Sequence, residues 1–177
     1  MKISGLAVEA LFAKIKAGFN TNLANVAPGY NIQPFTINFP ATAYSPCTTS
    51  FILGKLPYTE IIKYGVTDLN KMSMFSGHSD NQTDEKPRDF SGLVTVGLHV
   101  HIAWRTSSTV QNFEAFGLAV HDAVCECTQP WRQGQTWGPG VTYDGRFICD
   151  PSVIEAPEGD GALRQVIPFQ YTLRVDV

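Results

Sequence analysis

Val8, Leu11, Phe12, Ile15 and Phe19 recur at the spacing of a single helical stripe and predict an N-terminal amphipathic helix. Ser4 is its candidate N-cap, and Gly18, Asn20 and Asn22 mark the expected stop. Lys14 and Lys16 then fall near the C-terminal end, where cations complement the helix dipole. From residue 20 to 50 the pattern breaks, with Pro28, Pro34, Pro40 and Pro46 punctuating the chain. Short extended pieces fit between them, and 35–39 alternates apolar and polar as a strand does. Residues 51–53 read as another strand, and 59–64 as either a strand or a short helix.

The polar stretch 76–91, whose one apolar side chain is Phe90, predicts an exposed loop insertion. After it comes the strongest strand signal. Val94, Val96, Leu98, Val100, Ile102 and Trp104 alternate with Thr95, Gly97, His99, His101 and Ala103. One face points to a core, the other to water or to another subunit. Phe113, Phe116, Val120, Val124 and Cys127 form a second helical stripe, entered through the Ser/Thr turn 106–109 and ending near Thr128.

A loop from 129 to 140 carries Trp131 and Trp137, and Asp144-Gly145 signals a hairpin between Val141 and 147–149. A second turn, 155–161, leads into a closing strand with Leu163, Ile167, Phe169, Tyr171, Leu173 and Val175 on one face. Pro168 lacks an amide donor, which places that strand at a sheet edge or gives it a bulge. The order of elements predicts one α+β domain over 1–177. It is a mainly antiparallel twisted β-sheet with two α-helices packed on one face, plus a C-terminal β-hairpin.

Composition narrows the function classes. Apolar residues make up 44% and charged residues 16%, which describes a folded domain with a lean charged surface. Thirteen Lys and Arg against 16 Asp and Glu give a net charge of −3, with no basic run of the kind a nucleic-acid binder concentrates. No long uncharged apolar window suits a transmembrane helix, so no membrane partner is expected. Glu9, Lys14 and Lys16 interrupt the apolar N-terminus, which favours cytosolic synthesis over a signal peptide.

Candidate chemistry is sparse. His99 and His101 share a strand face and could present two imidazoles to a metal, with His78 and His121 elsewhere in the chain. Cys125 and Cys127 diverge by about 200° on a helix and do not converge as zinc ligands must. Cys149 could meet His121 or His99 in a nucleophile pair, but Asp150 beside it would raise the thiol pKa. The acidic turn with Glu155, Glu158 and Asp160 lacks the spacing of a calcium loop. There is no phosphate-binding glycine loop, dinucleotide fingerprint or nucleophile elbow, so no cofactor is expected. Two features point instead to assembly: the weakly charged polar face of the long strand, and the two loop tryptophans. Those rings either anchor an interface or fold back onto the core.

The helix from Leu6 to Phe19, the strand ending His-Val-His-Ile-Ala-Trp-Arg-Thr-Ser-Ser, and the helix containing Ala-Phe-Gly-Leu-Ala-Val-His-Asp-Ala-Val are followed by Asp-Gly-Arg-Phe and a closing strand. This order resembles the tail terminator (tail-completion) proteins of long-tailed bacteriophages, most closely over 94–124. The resemblance implies a non-enzymatic virion protein, assembled in the host cytoplasm. It would form a ring, usually sixfold, on the head-proximal end of the tail tube. That ring stops tube polymerisation and docks the neck or connector proteins, while DNA passes its lumen without specific binding. In that setting Thr95, His99 and His101, or the edge strand around Arg174, are expected to contact a neighbouring subunit. Trp131 and Trp137 would contact a tail or neck partner, and the loop with Asp80, Asp84 and Glu85 would face the lumen or the head side. The alternatives are a head-closure or tail-tube subunit and, from a different class, a small intracellular Cys/His enzyme.

Overall fold

The structure is a computed structural model, and it describes residues 3–46, 51–53, 71–76, 91–105, 113–150, 153–155 and 162–176. The fold is α+β. Two helices, α1 (Ile3–Val26) and α2 (Phe113–Thr128), pack on one face of a curled, mainly antiparallel sheet. Its strands are β1 (Phe51–Leu53), β2 (Lys71–Ser76), β3 (Ser91–Arg105), β4 (Thr136–Gly138), β5 (Val141–Cys149), β6 (Val153–Glu155) and β7 (Ala162–Asp176). They are ordered β1-β2-β3-β7-β5-β4, with β6 also on β7, and the β1–β2 pair is parallel.

The long β3–β7 ladder runs without a shift from Ser91↔Asp176 to Arg105↔Ala162. Its register puts Val94 beside Leu173, Val96 beside Tyr171, Leu98 beside Phe169 and Val100 beside Ile167, all buried on the face under the helices. β5 adds Val141, Tyr143 and Phe147 to the same face. Aromatic rings follow one another across it. Trp137 stacks on Tyr143 at 5.1 Å, Tyr143 meets Tyr171 edge-on, and Phe147 bridges Tyr171 and Phe169.

Several expectations change at this level. α1 does not stop at Gly18–Asn22 but continues to Val26, ahead of a short 3-10 turn at Ala27–Tyr30 that carries Pro28. Leu23 extends the apolar stripe and is fully buried, and the side chains of Asn20 and Asn22 find tertiary partners instead of capping the backbone. Gly18 lies where α1 meets α2: a Cβ there would come within 3.3 Å of Cys127 Sγ. Lys14 and Lys16 are therefore mid-helix, and no basic residue occupies the last turn.

Residues 35–39 keep their alternating burial but join no strand ladder. This segment runs antiparallel along α1, held by the helix's polar side chains. Asn20 donates to Ile37 O and accepts from Ile37 N. Lys16 donates to Pro40 O and Ala41 O, and Glu9 accepts from Ala43 N. Phe35 stacks on Phe116, and Phe39 packs edge-on against Phe12. The Asn20 side chain satisfies both backbone groups of Ile37, as a ladder partner would have done.

Asp144-Gly145 is not a hairpin turn. It is a register shift inside the single strand β5, with Gly145 at φ +89°. One observed hairpin joins β4 to β5 through Pro139-Gly140, and the C-terminal hairpin is β6–β7. β7 is a central strand, with no bulge in its β3 ladder. Pro168 is tolerated because it falls between the β5 ladder, which ends at Phe169, and the β6 ladder, which begins at Val166. β2 was not foreseen, although Met72 and Met74 alternate with Ser73. The segments 59–64 and 77–90 and the N-cap turn 106–109 lie outside the described residues.

Candidate functional site

The outer sheet face is built from the positions that alternate with the core. The register sets Thr95 beside Thr172, Gly97 beside Gln170, His99 beside Pro168 and His101 beside Val166, with Thr142 and Leu93 flanking Arg174. Thr95, His99, Gln170 and Thr172 are half-buried, and Arg174 is exposed. Ile148, from β5 opposite Gln170, is 55% exposed. His101 departs from expectation: it is 0% exposed, so the folded chain already covers it and it is no surface contact. Its ring centroid lies 5.9 Å from that of His99. Among the described residues no three His, Cys, Asp or Glu side chains are placed to hold a metal.

Arg174 is not on an edge strand, because β7 has neighbours on both sides. It belongs to a small charged group on this face. Asp144 lies 3.3 Å from Arg146 Nε and 4.0 Å from the Arg174 guanidinium. Both arginines are mostly exposed, so these pairs orient the side chains more than they stabilise the fold.

The two tryptophans have different fates. Trp137 sits in β4, 5% exposed, stacked on Tyr143, so it is a core residue and not a partner contact. Trp131 is 61% exposed at the tip of the turn after α2. That tip is firmly held. Gln135 Nε2 donates to the carbonyls of Thr128, Gln129 and Arg132, and the Arg132 amide bonds back to Gln129 O.

A cleft of about 490 Å³ opens between α2 and the end of β5. Glu114, Leu118 and His121 line it from the helix, Cys149 from the strand and Asp150 just past it, and Ile167 from β7. It therefore brings together Cys149 and His121, one of the pairs foreseen from sequence. His121 stacks on Phe169 and has Nδ1 at 3.1 Å from Asp122 Oδ1, with Cys125 Sγ 3.7 Å from Nε2. Burial, reinforced by nearby acidic groups, pushes the Cys125 thiol up to about 12 and Cys149 up to about 11. Cys127, desolvated between the helices, is also pushed up to about 11. These thiols keep their protons at neutral pH, the opposite of what a cysteine nucleophile needs.

Leu118, 51% exposed on the cleft wall, was missed by sequence reasoning, although it lies about 200° around α2 from its apolar stripe. An isolated leucine on a polar helix face is a readable signal. Asp80, Asp84 and Glu85 lie outside the described residues. No helix among the described residues is long and apolar enough to cross a membrane. Neither the protein-family models nor the curated proteins searched include a match to this chain.

Proposed function

We propose that this chain is a structural virion protein that closes into a ring at the head-proximal end of a phage tail tube. There it ends tube polymerisation and offers a docking surface to the neck proteins, while DNA passes through the lumen. The observation that carries the reading is the outer sheet face. Between His99 and Arg174, the side chains of Thr95, Gln170 and Thr172 leave the middle of the β3–β7 ladder uncharged, and Ile148 stands 55% exposed beside it. A surface of that kind suits contact with a neighbouring subunit better than bare water. A heterologous contact that closes by rotation yields a ring. The order of elements that resembles tail terminators supports the same assignment. The net charge of −3 is compatible with a channel that does not hold DNA.

Native mass spectrometry over a concentration series, with negative-stain images of the same samples and of samples mixed with tail tubes, tests this. A closed ring with a central hole, free or on tube ends, is the expected result. A chain that stays monomeric alone and leaves tube ends bare overturns it.

A Cys/His enzyme is the second reading, favoured by the shared cleft of Cys149 and His121. The raised thiol values weigh against it, and a ring-forming neck component such as a head-closure subunit is the nearer alternative.

A further inference from the structure

The geometry points to a knob-and-groove contact between copies of this chain: the Trp131-Arg132 tip of one copy seats in the α2–β5 cleft of the next. This deepens the ring reading and rests on it only for closure of the ring.

Knob and groove match in shape and charge. The tip presents an indole that is 61% exposed, with the exposed cation Arg132 beside it. The cleft has apolar side chains in Leu118 and Ile167 and exposed carboxylates at its rim in Glu114 and Asp150. Its volume of about 490 Å³ is in the range of sites that enclose a side chain or small ligand. Trp and Arg are also both among the residue types enriched at interface hot spots.

The tip is preorganised as well. Three carbonyls anchored by the Gln135 amide hold the turn before any partner arrives, so little conformational freedom is lost on docking. The contact is necessarily between copies. The cleft lies along the first half of α2 and the tip just beyond its end, and the 16-residue helix is about 24 Å long. Donor and acceptor sites on opposite ends of one element give a head-to-tail interface, which closes into a ring or extends as a filament. A single indole buries only about 150–250 Å², so the knob serves as the anchor of a wider interface.

Complementary variants of the full chain test this. Trp131→Ala keeps the groove and loses the knob. Leu118→Arg keeps the knob and places a cation where Arg132 of the next copy would enter. Both positions are exposed, so thermal melts should match wild type, and Arg132→Glu provides a third, milder variant. By sedimentation velocity each of the first two should self-associate at least about 30-fold more weakly than wild type. Mixed together they should form a 1:1 heterodimer and nothing larger, because only one intact knob–groove pair remains. If both variants assemble as wild type does, the knob assignment is overturned while the ring reading stands. A wild-type chain monomeric at every concentration also overturns the contact, and leaves the ring reading to the tube-end experiment above.

Discussion

Trp137 and Trp131 are six positions apart, identical in chemistry and opposite in role. Trp137 lies parallel to Tyr143 and edge-on to Tyr171, inside the aromatic row that joins β4, β5 and β7. Removing that ring should leave a cavity no neighbour can close, at a cost of about 3–5 kcal/mol. Trp131 touches the rest of the fold so little that its replacement by alanine should change stability by no more than about 0.5 kcal/mol. Urea unfolding of the two single variants checks this, and equal losses would contradict the assignment of Trp137 to the core. The same contrast separates His99 from His101 on one strand face: only the first keeps access to solvent.

At the scale of elements, α1 owes its length to two stripes. The apolar stripe from Val8 to Leu23 faces the sheet, while Glu9, Lys16 and Asn20 receive the segment that runs back along the helix. Two of the charges that interrupt the apolar N-terminus, Glu9 and Lys16, are thus anchors of a strap. Leu23→Ala tests the extended helix: a fully buried leucine should cost about 2–5 kcal/mol, read by thermal or urea unfolding. A loss below about 0.5 kcal/mol would mean that the helix stops near Gly18 after all. α2 behaves as its stripe predicts, from Phe113 to Thr128. β5 does not behave as its turn signal predicts. An Asp-Gly hairpin of type I′ needs positive φ at both residues, whereas here only Gly145 has it, which is what a bulge requires.

The molecule as a whole shields three thiols to different degrees, with Cys127 buried between the helices and Cys125 and Cys149 half-buried. Folding raises Cys125 to about 12 and Cys127 and Cys149 to about 11, from an ordinary value of 9.0. Burial also raises Tyr171 well above its usual range. The unfolded chain releases these thiol protons first. Stability from them is therefore intact below about pH 9, falls as pH rises, and is lost through the folded values of 11 to 12. Melting temperature should accordingly drop steadily between pH 9 and pH 11, and more gently in a Cys125→Ala variant. A melting temperature flat across that window would show that the thiols are not shielded as the packing indicates.

Periodicity alone determined much of this protein: both helices, the long strand β3, the closing strand β7 and which of their faces is apolar. Those features follow from local repeats of 3.6 and 2 residues, which the windows over those elements display. Only the tertiary structure decided what the repeats could not carry. Whether β7 is central or at an edge depends on strands distant in sequence, and Pro168 fits because β5 and β6 leave a gap opposite it. Whether a tryptophan is anchor or core depends on what packs beside it. The cleft combines Leu118, Cys149 and Ile167 from three elements, so no local pattern announces it. Local order is written in neighbouring residues; surfaces and clefts arise where distant segments meet, and there the decisive contacts are long-range.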